Sequence, residues 1–203
     1  MKPLAFVSIL FALSYSDTVL AYFWADGCRR IESRTVCRPC DEVCPVPRSR
    51  PVVSGTYVST DARLNGQSFF VCRANANREG LRAGYNLKPN WSKHCWVGYG
   101  GRERFEQNYQ CLCSDVGIEL SWVYVGPGAS CDESCRPSRP VISGTYVSSD
   151  PRLHRQPFFV CSGDFGDGRR VGYNLRGFGG NHCYTGHGGR EEYTPWPYKC
   201  LCE

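Results

Sequence analysis

A long stretch of this 203-residue chain occurs twice. Residues 50–72 read RPVVSGTYVSTDARLNGQSFFVC, and residues 139–161 read RPVISGTYVSSDPRLHRQPFFVC. The match extends on both sides through these further pairs: CDEVC and CDESC, RAGYNL and RVGYNL, HCWVGYGGRE and HCYTGHGGRE, YQCLC and YKCLC. The chain is therefore a tandem duplication, and whatever one copy folds into must be built twice.

We predict a first repeat at residues 22–114 and a second repeat at residues 115–203. The segment that joins them, residues 114–130, reads SDVGIELSWVYVGPGAS. It lacks the Gly/Ser composition of a flexible linker, and IELSWVYV alternates as a strand does. We therefore expect the two repeats to pack against each other.

Residues 1–21 have the pattern of a signal peptide. Lys2 is followed by an apolar block, and Val19-Leu20-Ala21 supplies the short residues of a cleavage site. A membrane anchor requires roughly 20 uninterrupted apolar residues, whereas Ser14 and Asp17 interrupt this run. We predict cleavage of residues 1–21, no membrane span, and a secreted, extracellular protein.

The 14 cysteines all follow this segment. An exported chain meets an oxidising compartment, so we predict that they form seven disulfides. The predicted disulfide cysteines are Cys28, Cys37, Cys40, Cys44, Cys72, Cys95, Cys111, Cys113, Cys131, Cys135, Cys161, Cys183, Cys200 and Cys202. Cys28 and Cys37 have no counterpart in the second repeat and are expected to pair with each other. The pairing of the other cysteines stays open.

Two spacings restrict the chemistry of these cysteines. Cys111 and Cys113 are two residues apart, so on a strand they face the same side and need separate partners. The sequence CRPC at 37–40 has the C-x2-C spacing of a zinc site. No second pair of this spacing follows it downstream, and an oxidising compartment disfavours free thiolates. We predict no metal and no cofactor.

The segments with clear local preference are short and rich in β-branched and aromatic residues, such as VVSGTYVS, SFFVCRA, HCWVGY and NYQCLC. Gly- and Asn-rich turn sequences separate them, and no window shows sustained helical periodicity. We predict an all-β fold of antiparallel strands in a sandwich or barrel-like arrangement. Disulfides would contribute roughly 2 to 4 kcal/mol each to these small units.

Catalytic signatures are scarce, so we predict that the protein is not an enzyme. The chain has only four histidines and no G-x-S-x-G, H-E-x-x-H or P-loop sequence. The acids that recur in both repeats are Asp61, Glu103, Asp150 and Glu191. Paired acids of a glycosidase differ in environment, whereas these are duplicated, as two equivalent binding sites would be.

Charge and composition indicate which kinds of molecule this protein could bind. The net charge of +5 is spread along the chain, so we predict no nucleic-acid binding.

The glycines of GYGGRE and GHGGRE are interpreted as tight turns. The sequence NWS makes Asn90 a predicted glycosylation site. Exposed aromatic rings would suit a sugar ring, and the candidates are Tyr57, Tyr85, Trp91, Trp96, Tyr99, Tyr146, Tyr173, Tyr184 and Trp196.

Taken in order, these motifs resemble the DM-nine repeat family, whose modules occur in invertebrate lectins and beside the pore-forming part of natterin-like toxins. Trp24 and Trp122 match the opening tryptophan, and FFVCRA and FFVCSG match the strand that follows. The glycine-acid element falls on residues 101–103 and 189–191, and YQCL and YKCL match the closing segment. The resemblance covers nearly all of the chain after residue 21.

The resemblance implies two repeats packed about a pseudo-twofold axis, with one sugar site on each, as in mannose-binding members. The family's ligand acid falls here on Tyr57 and Tyr146, and its ligand lysine falls on Tyr85 and Tyr173. Asp61 and Asp150 follow four residues later and could replace the acid if their loops fold back. We predict the ligand-binding residues to be Tyr57, Asp61, Tyr85, Glu103, Tyr146, Asp150, Tyr173 and Glu191.

The sequence thus favours a secreted, bivalent carbohydrate-binding protein, lectin-like in character, whose partners are glycans or glycoproteins on a cell or matrix surface. Two weak sites on one rigid body give avidity on a surface that carries many copies of the ligand. The alternative is a non-catalytic structural or interaction protein of an extracellular matrix, egg coat or secretion that has lost sugar binding. The tyrosines at the family's ligand positions favour this alternative.

Overall fold

The computed structural model describes residues 22–31, 34–45, 47–63, 65–87, 93–175, 181–195 and 197–203. The predicted signal peptide and Asn90 lie outside these ranges, as do Trp91 and Trp196. Across the described ranges, no helix has both the length and the apolar composition needed to cross a bilayer.

The described elements are mostly short strands. The first repeat forms β1 (Tyr22–Asp26), β2 (Cys28–Ile31), β3 (Arg34–Cys37), α1 (Cys40–Val43), β4 (Ser49–Pro51), β5 (Val53–Thr56), β6 (Ser68–Asn75), β7 (Leu81–Leu87), β8 (Cys95–Tyr99), β9 (Arg102–Glu106) and β10 (Tyr109–Asp115). The second repeat forms β11 (Ser121–Tyr124), α2 (Cys131–Ser134), β12 (Ile142–Thr145), β13 (Pro157–Asp164), β14 (Arg169–Leu175), β15 (Cys183–His187), β16 (Arg190–Thr194) and β17 (Lys199–Cys202). The residue boundary between the repeats stays a prediction.

The two repeats form equivalent antiparallel sheets. The first sheet has the strand order β1-β10-β6-β7-β8-β9, and the second has the order β11-β17-β13-β14-β15-β16. The strands β5 and β12 occupy equivalent positions beside β6 and β13. The hairpin β2-β3 belongs to the first repeat alone. The predicted all-β fold of two antiparallel modules related by a pseudo-twofold axis is confirmed.

The inner faces of the two sheets share one hydrophobic core. Phe69 and Val71 alternate along β6 and point into it, and Phe158 and Val160 do the same along β13. The core is completed by Val52, Ala83, Tyr85, Leu87, Leu112, Val141, Val171, Tyr173, Leu175 and Leu201. Burying one such side chain stabilises a fold by roughly 1.5 to 3 kcal/mol. Because each repeat supplies half of this core, the repeats pack as one body, as predicted.

The outer faces of the sheets carry the disulfides. In the first repeat Cys40 and Cys44 lie four residues apart on one face of a helical turn, and they bond to Cys111 and Cys113 on one face of β10. The full set of pairs is Cys28–Cys37, Cys40–Cys111, Cys44–Cys113, Cys72–Cys95, Cys131–Cys200, Cys135–Cys202 and Cys161–Cys183.

This connectivity confirms three sequence predictions. Cys28 pairs with Cys37, Cys111 and Cys113 take separate partners, and all 14 cysteines are oxidised. The CRPC cysteines belong to two different disulfides, which excludes them as a thiolate pair for zinc. Every bridge stays within one repeat, so noncovalent contacts and the connecting chain alone hold the two repeats together.

Candidate functional site

The predicted site residues Tyr85 and Tyr173 lie in the interior between the repeats, at 3 and 5% exposure. The Tyr85 hydroxyl donates a hydrogen bond of 2.6 Å to Glu103 Oε1, and the Tyr173 hydroxyl donates an equivalent bond of 2.6 Å to Glu191 Oε1. Burial is the main cause that raises the pKa of both hydroxyls. Both therefore remain protonated donors at neutral pH.

Each of these carboxylates also reaches the other repeat. Glu103 Oε2 accepts a hydrogen bond of 2.9 Å from the Gly189 N–H, and Glu191 Oε2 accepts one of 2.9 Å from the Gly101 N–H. Gly101 and Gly189 have φ values of +76° and +81°, which side-chain-bearing residues rarely adopt. The predicted tight turns of the glycine-acid motifs are thus present, and each repeat's acid binds the other's turn.

A buried arginine from the opposite repeat completes each cluster. Arg170 Nη1 donates to the Tyr85 hydroxyl, and Arg82 Nη1 donates to the Tyr173 hydroxyl at 3.0 Å. Arg82 pairs with Glu79 at 3.2 Å, and Arg170 pairs with Asp167. Each guanidinium is therefore held between an acid of its own repeat and a tyrosine of the other.

The rings around the arginines form an aromatic enclosure. The Arg82 guanidinium lies 5.0 Å from the centroids of the Tyr173 and Phe158 rings and 5.5 Å from that of Tyr146. The equivalent enclosure of Arg170 consists of Tyr57, Phe69 and Tyr85. Cation–π contacts of this kind contribute roughly 2 kcal/mol when desolvated.

Electrostatics keep Arg170 and its partner Asp167 charged. Burial acts against the Arg170 cation, but the hydrogen bond to Asp167 and the neighbouring charges outweigh it and raise its pKa. Burial likewise opposes the Asp167 carboxylate, yet Arg170 and His187 together lower the pKa of Asp167. The pair is therefore ionised at neutral pH.

A cleft of about 200 Å³ opens above the Arg82 cluster. It brings together three of the predicted ligand-binding residues of the second repeat, Tyr146, Tyr173 and Glu191. The first repeat contributes Glu79, Arg82, Tyr99 and Gly100, and the floor includes Phe158 and Leu175. The cleft is thus a joint product of both repeats, with one guanidinium, two carboxylates and three tyrosines.

Asp61 and Asp150 lie elsewhere, on the loops that follow Tyr57 and Tyr146. Each carboxylate bonds to an arginine of its own loop, Asp61 to Arg63 at 2.9 Å and Asp150 to Arg152 at 2.8 Å. These side-chain hydrogen bonds lower the pKa of both aspartates. Neither aspartate lines the cleft, and each one stabilises the turn of its own loop.

Sequence reasoning missed the buried cations and their acids. Arg82 and Arg170 occupy the first position of RAGYNL and RVGYNL, and Glu79 and Asp167 precede them by three residues. The sequence does contain a signal for them, because both repeats have a basic residue at the start of an apolar strand and an acidic residue three positions before it. This signal does not reveal that each arginine donates a hydrogen bond to the tyrosine of the other repeat.

The fold and this site define a class of protein: a tandem, cysteine-rich all-β protein whose two repeats exchange buried polar side chains across a shared core. No protein-family model matches the chain, and no curated protein matches it. Among solved structures it is similar in fold to the nematode sperm cell motility protein MFP2B, with a TM-score of 0.50 and 13% identity. The match covers 89% of this chain and 44% of MFP2B, so the chain spans less than half of that protein's length.

Proposed function

We propose that this protein is exported and binds glycans without chemical change, with the interrepeat cleft as its sugar site. Seven disulfides and the signal-like residues 1–21 support export, because disulfides persist in oxidising compartments. The mature chain then begins at Tyr22, and the equivalent clusters around Tyr85 and Tyr173 give it two related sites.

The observation that carries the proposal is the composition of the cleft. Glu191 and Glu79 accept hydrogen bonds from sugar hydroxyls, Arg82 donates to them, and the rings of Tyr146 and Tyr99 offer flat apolar faces. Such a cleft suits a small ligand rich in hydroxyl groups. A shallow polar site of this size corresponds to an affinity of about 1 mM, or about 4 kcal/mol.

The equal environments of Glu103 and Glu191 support binding rather than hydrolysis. Each carboxylate accepts one tyrosine hydroxyl and one glycine N–H of the other repeat. The two acids of a glycosidase require different environments, because one donates a proton while the other attacks or activates water.

The DM-nine resemblance adds support. The cleft contains Tyr146 and Tyr173, which stand where that family places its ligand acid and lysine. The replacement of both by tyrosine predicts a sugar preference that differs from mannose. Arg82 supplies the cation that the family obtains from lysine, and Glu191 supplies the carboxylate.

A glycan array tests this function. The mature chain, produced through an oxidising secretory pathway and multimerised on streptavidin, is expected to bind a defined set of glycans. Glu191→Gln should weaken that binding about tenfold by removing one charged acceptor, whereas the exposed-acid control Asp164→Asn should bind as the parent chain does. A correctly oxidised sample that binds no glycan contradicts the proposal.

A second function has its own supporting observation. The Arg82, Tyr173, Glu191 and Gly101 groups already bond to one another without a ligand, as they would in a network that serves only to join the repeats. The chain would then be a structural or interaction protein of a matrix, egg coat or secretion. Absence of glycan binding together with saturable binding to a purified matrix preparation would favour this function.

A further inference from the structure

The last two strands of the first sheet carry an exposed group of aromatic rings. Trp96 of β8 and Phe105 of β9 are directly opposite each other, with ring centroids 5.7 Å apart. The His94 ring packs edge-on against Phe105 at 5.5 Å. We name these three residues the first aromatic platform.

The second sheet has an equivalent group at the same place. Tyr184 of β15 lies opposite Tyr193 of β16, with ring centroids 6.0 Å apart. The His182 ring stacks on Tyr193 at 4.8 Å, with an interplanar angle of 12°. These three residues are the second aromatic platform. The histidine is the same in both repeats, the other two residues differ, and every position remains aromatic.

Both platforms face solvent. Phe105 is 62% exposed and Tyr193 is 57% exposed, although both stand beside well-packed rings. Cross-strand aromatic pairs stabilise a sheet by roughly 0.2 to 1 kcal/mol, which explains their contact. This stabilisation does not explain why the outer ring of each pair, Phe105 or Tyr193, is exposed to solvent in both repeats.

A carboxylate borders each platform. Glu103 precedes Phe105 by two residues on β9 and therefore shares its face, and Glu191 has the same relation to Tyr193 on β16. Burial, followed by the charge of Glu191, raises the pKa of the Tyr184 hydroxyl. A carboxylate has about four acceptor positions, and the hydrogen bonds described above occupy two in each case.

We propose that the two aromatic platforms are stacking sites for pyranose rings, with Glu103 and Glu191 accepting a hydroxyl of the stacked sugar. This inference rests on the proposed glycan binding and extends it beyond the cleft. The exposed face of a single ring, Phe105 or Tyr193, favours a sugar whose substituents are all equatorial, because both faces of such a sugar ring expose only C–H groups. The bordering carboxylates disfavour acidic sugars. The ligand class is therefore a β-linked neutral glycan of glucose or N-acetylglucosamine configuration.

The test compares Phe105→Ala combined with Tyr193→Ala against Tyr124→Ala. Tyr124 is a matched control, since it is 59% exposed and lies on β11 at the opposite end of the second sheet. The probes are chitotriose, cellotriose and sialyllactose, measured by titration calorimetry and saturation-transfer NMR. We expect the platform double variant to bind chitotriose or cellotriose about fivefold to tenfold more weakly. Tyr124→Ala should retain parental affinity, and sialyllactose should bind more weakly than the neutral probes to every variant.

A fluorescence experiment provides an independent readout. A sugar stacked on the first platform should change the emission of Trp96, so Trp96→Phe should reduce the ligand-induced signal. Trp122→Phe should preserve that signal, because Trp122 lies on β11. Guanidinium unfolding midpoints of all variants establish that folding is intact.

The outcomes separate this inference from the proposed function. A parent chain that binds glycans on the array, with equal affinity in the double variant, overturns the platforms and leaves the cleft in place. A preference for acidic over neutral probes also overturns the platform proposal. A parent chain that binds no glycan at all overturns both.

Discussion

The hydroxyl of Tyr85 in the first repeat accepts a hydrogen bond from Arg170 of the second repeat and donates one to Glu103 of its own. One phenol thus connects a buried cation to a half-buried carboxylate across the interface between the repeats. The equivalent relationship joins Tyr173 to Arg82 and Glu191. Two equivalent polar clusters therefore lie beside the apolar core that the repeats share.

Removal of the phenol oxygen should destabilise the protein. In Tyr85→Phe the ring still fills its space, but Arg170 Nη1 and Glu103 Oε1 lose a partner. Leaving buried polar groups unsatisfied costs about 1 to 3 kcal/mol, so we expect the free energy of unfolding in guanidinium to fall by that amount. Tyr124→Phe, at an exposed position, should change it by less than about 0.5 kcal/mol. Equal effects of the two substitutions would contradict the network.

Two glycines, Gly98 and Gly186, allow the two sheets to approach each other closely. A Cβ at Gly98 would lie 2.8 Å from the Thr185 carbonyl carbon, and a Cβ at Gly186 would lie 2.7 Å from Glu103 Cγ. Gly98→Ala and Gly186→Ala should each lower the free energy of unfolding by about 1 to 3 kcal/mol through overpacking. Gly126 has no neighbouring atom within 4 Å of such a Cβ. In thermal unfolding, the control variant Gly126→Ala should therefore have the parental midpoint. A parental midpoint for Gly98→Ala would contradict the close contact between the two sheets.

The disulfides should differ in their contribution to stability. Cys28–Cys37 closes a sequence separation of 9 residues, whereas Cys40–Cys111 closes one of 71. Loop-closure entropy predicts a loss of about 3 kcal/mol when the first pair is replaced by serines and about 4 kcal/mol for the second. Cys40 and Cys111 are also fully buried, so their serine variants additionally bury hydroxyls. Guanidinium unfolding should rank the variants in this order, and the reverse ranking would argue against the observed pairing.

Alkaline titration should reveal the buried tyrosines. Burial raises the pKa of Tyr85, Tyr109, Tyr173 and Tyr198 above the ordinary value. A raised folded-state pKa means that the associated stability is fully present below pH of about 10, where unfolded tyrosine ionises, and is lost as the pH rises further. Absorbance at 295 nm should therefore show fewer tyrosines ionising near pH 10 in the native protein than in the denatured one. Identical native and denatured titration curves would contradict this prediction.

Much of the fold follows from local sequence signals. The duplication, the alternation of SFFVCRA and the turn sequences predicted paired antiparallel sheets, and the absence of a counterpart predicted the Cys28–Cys37 bond. The other pairings depend on which strands become neighbours. Cys72 of β6 bonds to Cys95 at the start of β8, with their Cα atoms 5.9 Å apart, although β7 stands between these strands in the sheet order. Such proximity is not encoded in spacing.

The candidate site was predictable in part for the same reason. Tyr146, Tyr173 and Glu191 were predicted together and meet in the cleft. Arg82 and Glu79 come from the other repeat, so no pattern within one repeat reveals them, whereas Tyr99 was already a candidate aromatic residue. Phe105 and Tyr193 were not predicted either, since exposure of an aromatic ring depends on where the sheet ends.

The shared core has a consequence for how such a chain could arise. Equivalent positions of both repeats supply the residues of this core, and each buried arginine donates a hydrogen bond to the tyrosine of the other repeat. A single-repeat ancestor could have made the same contacts only as a homodimer, so its folding would have depended on protein concentration. Joining two copies in one polypeptide makes that association intramolecular, and the assembled state then survives dilution.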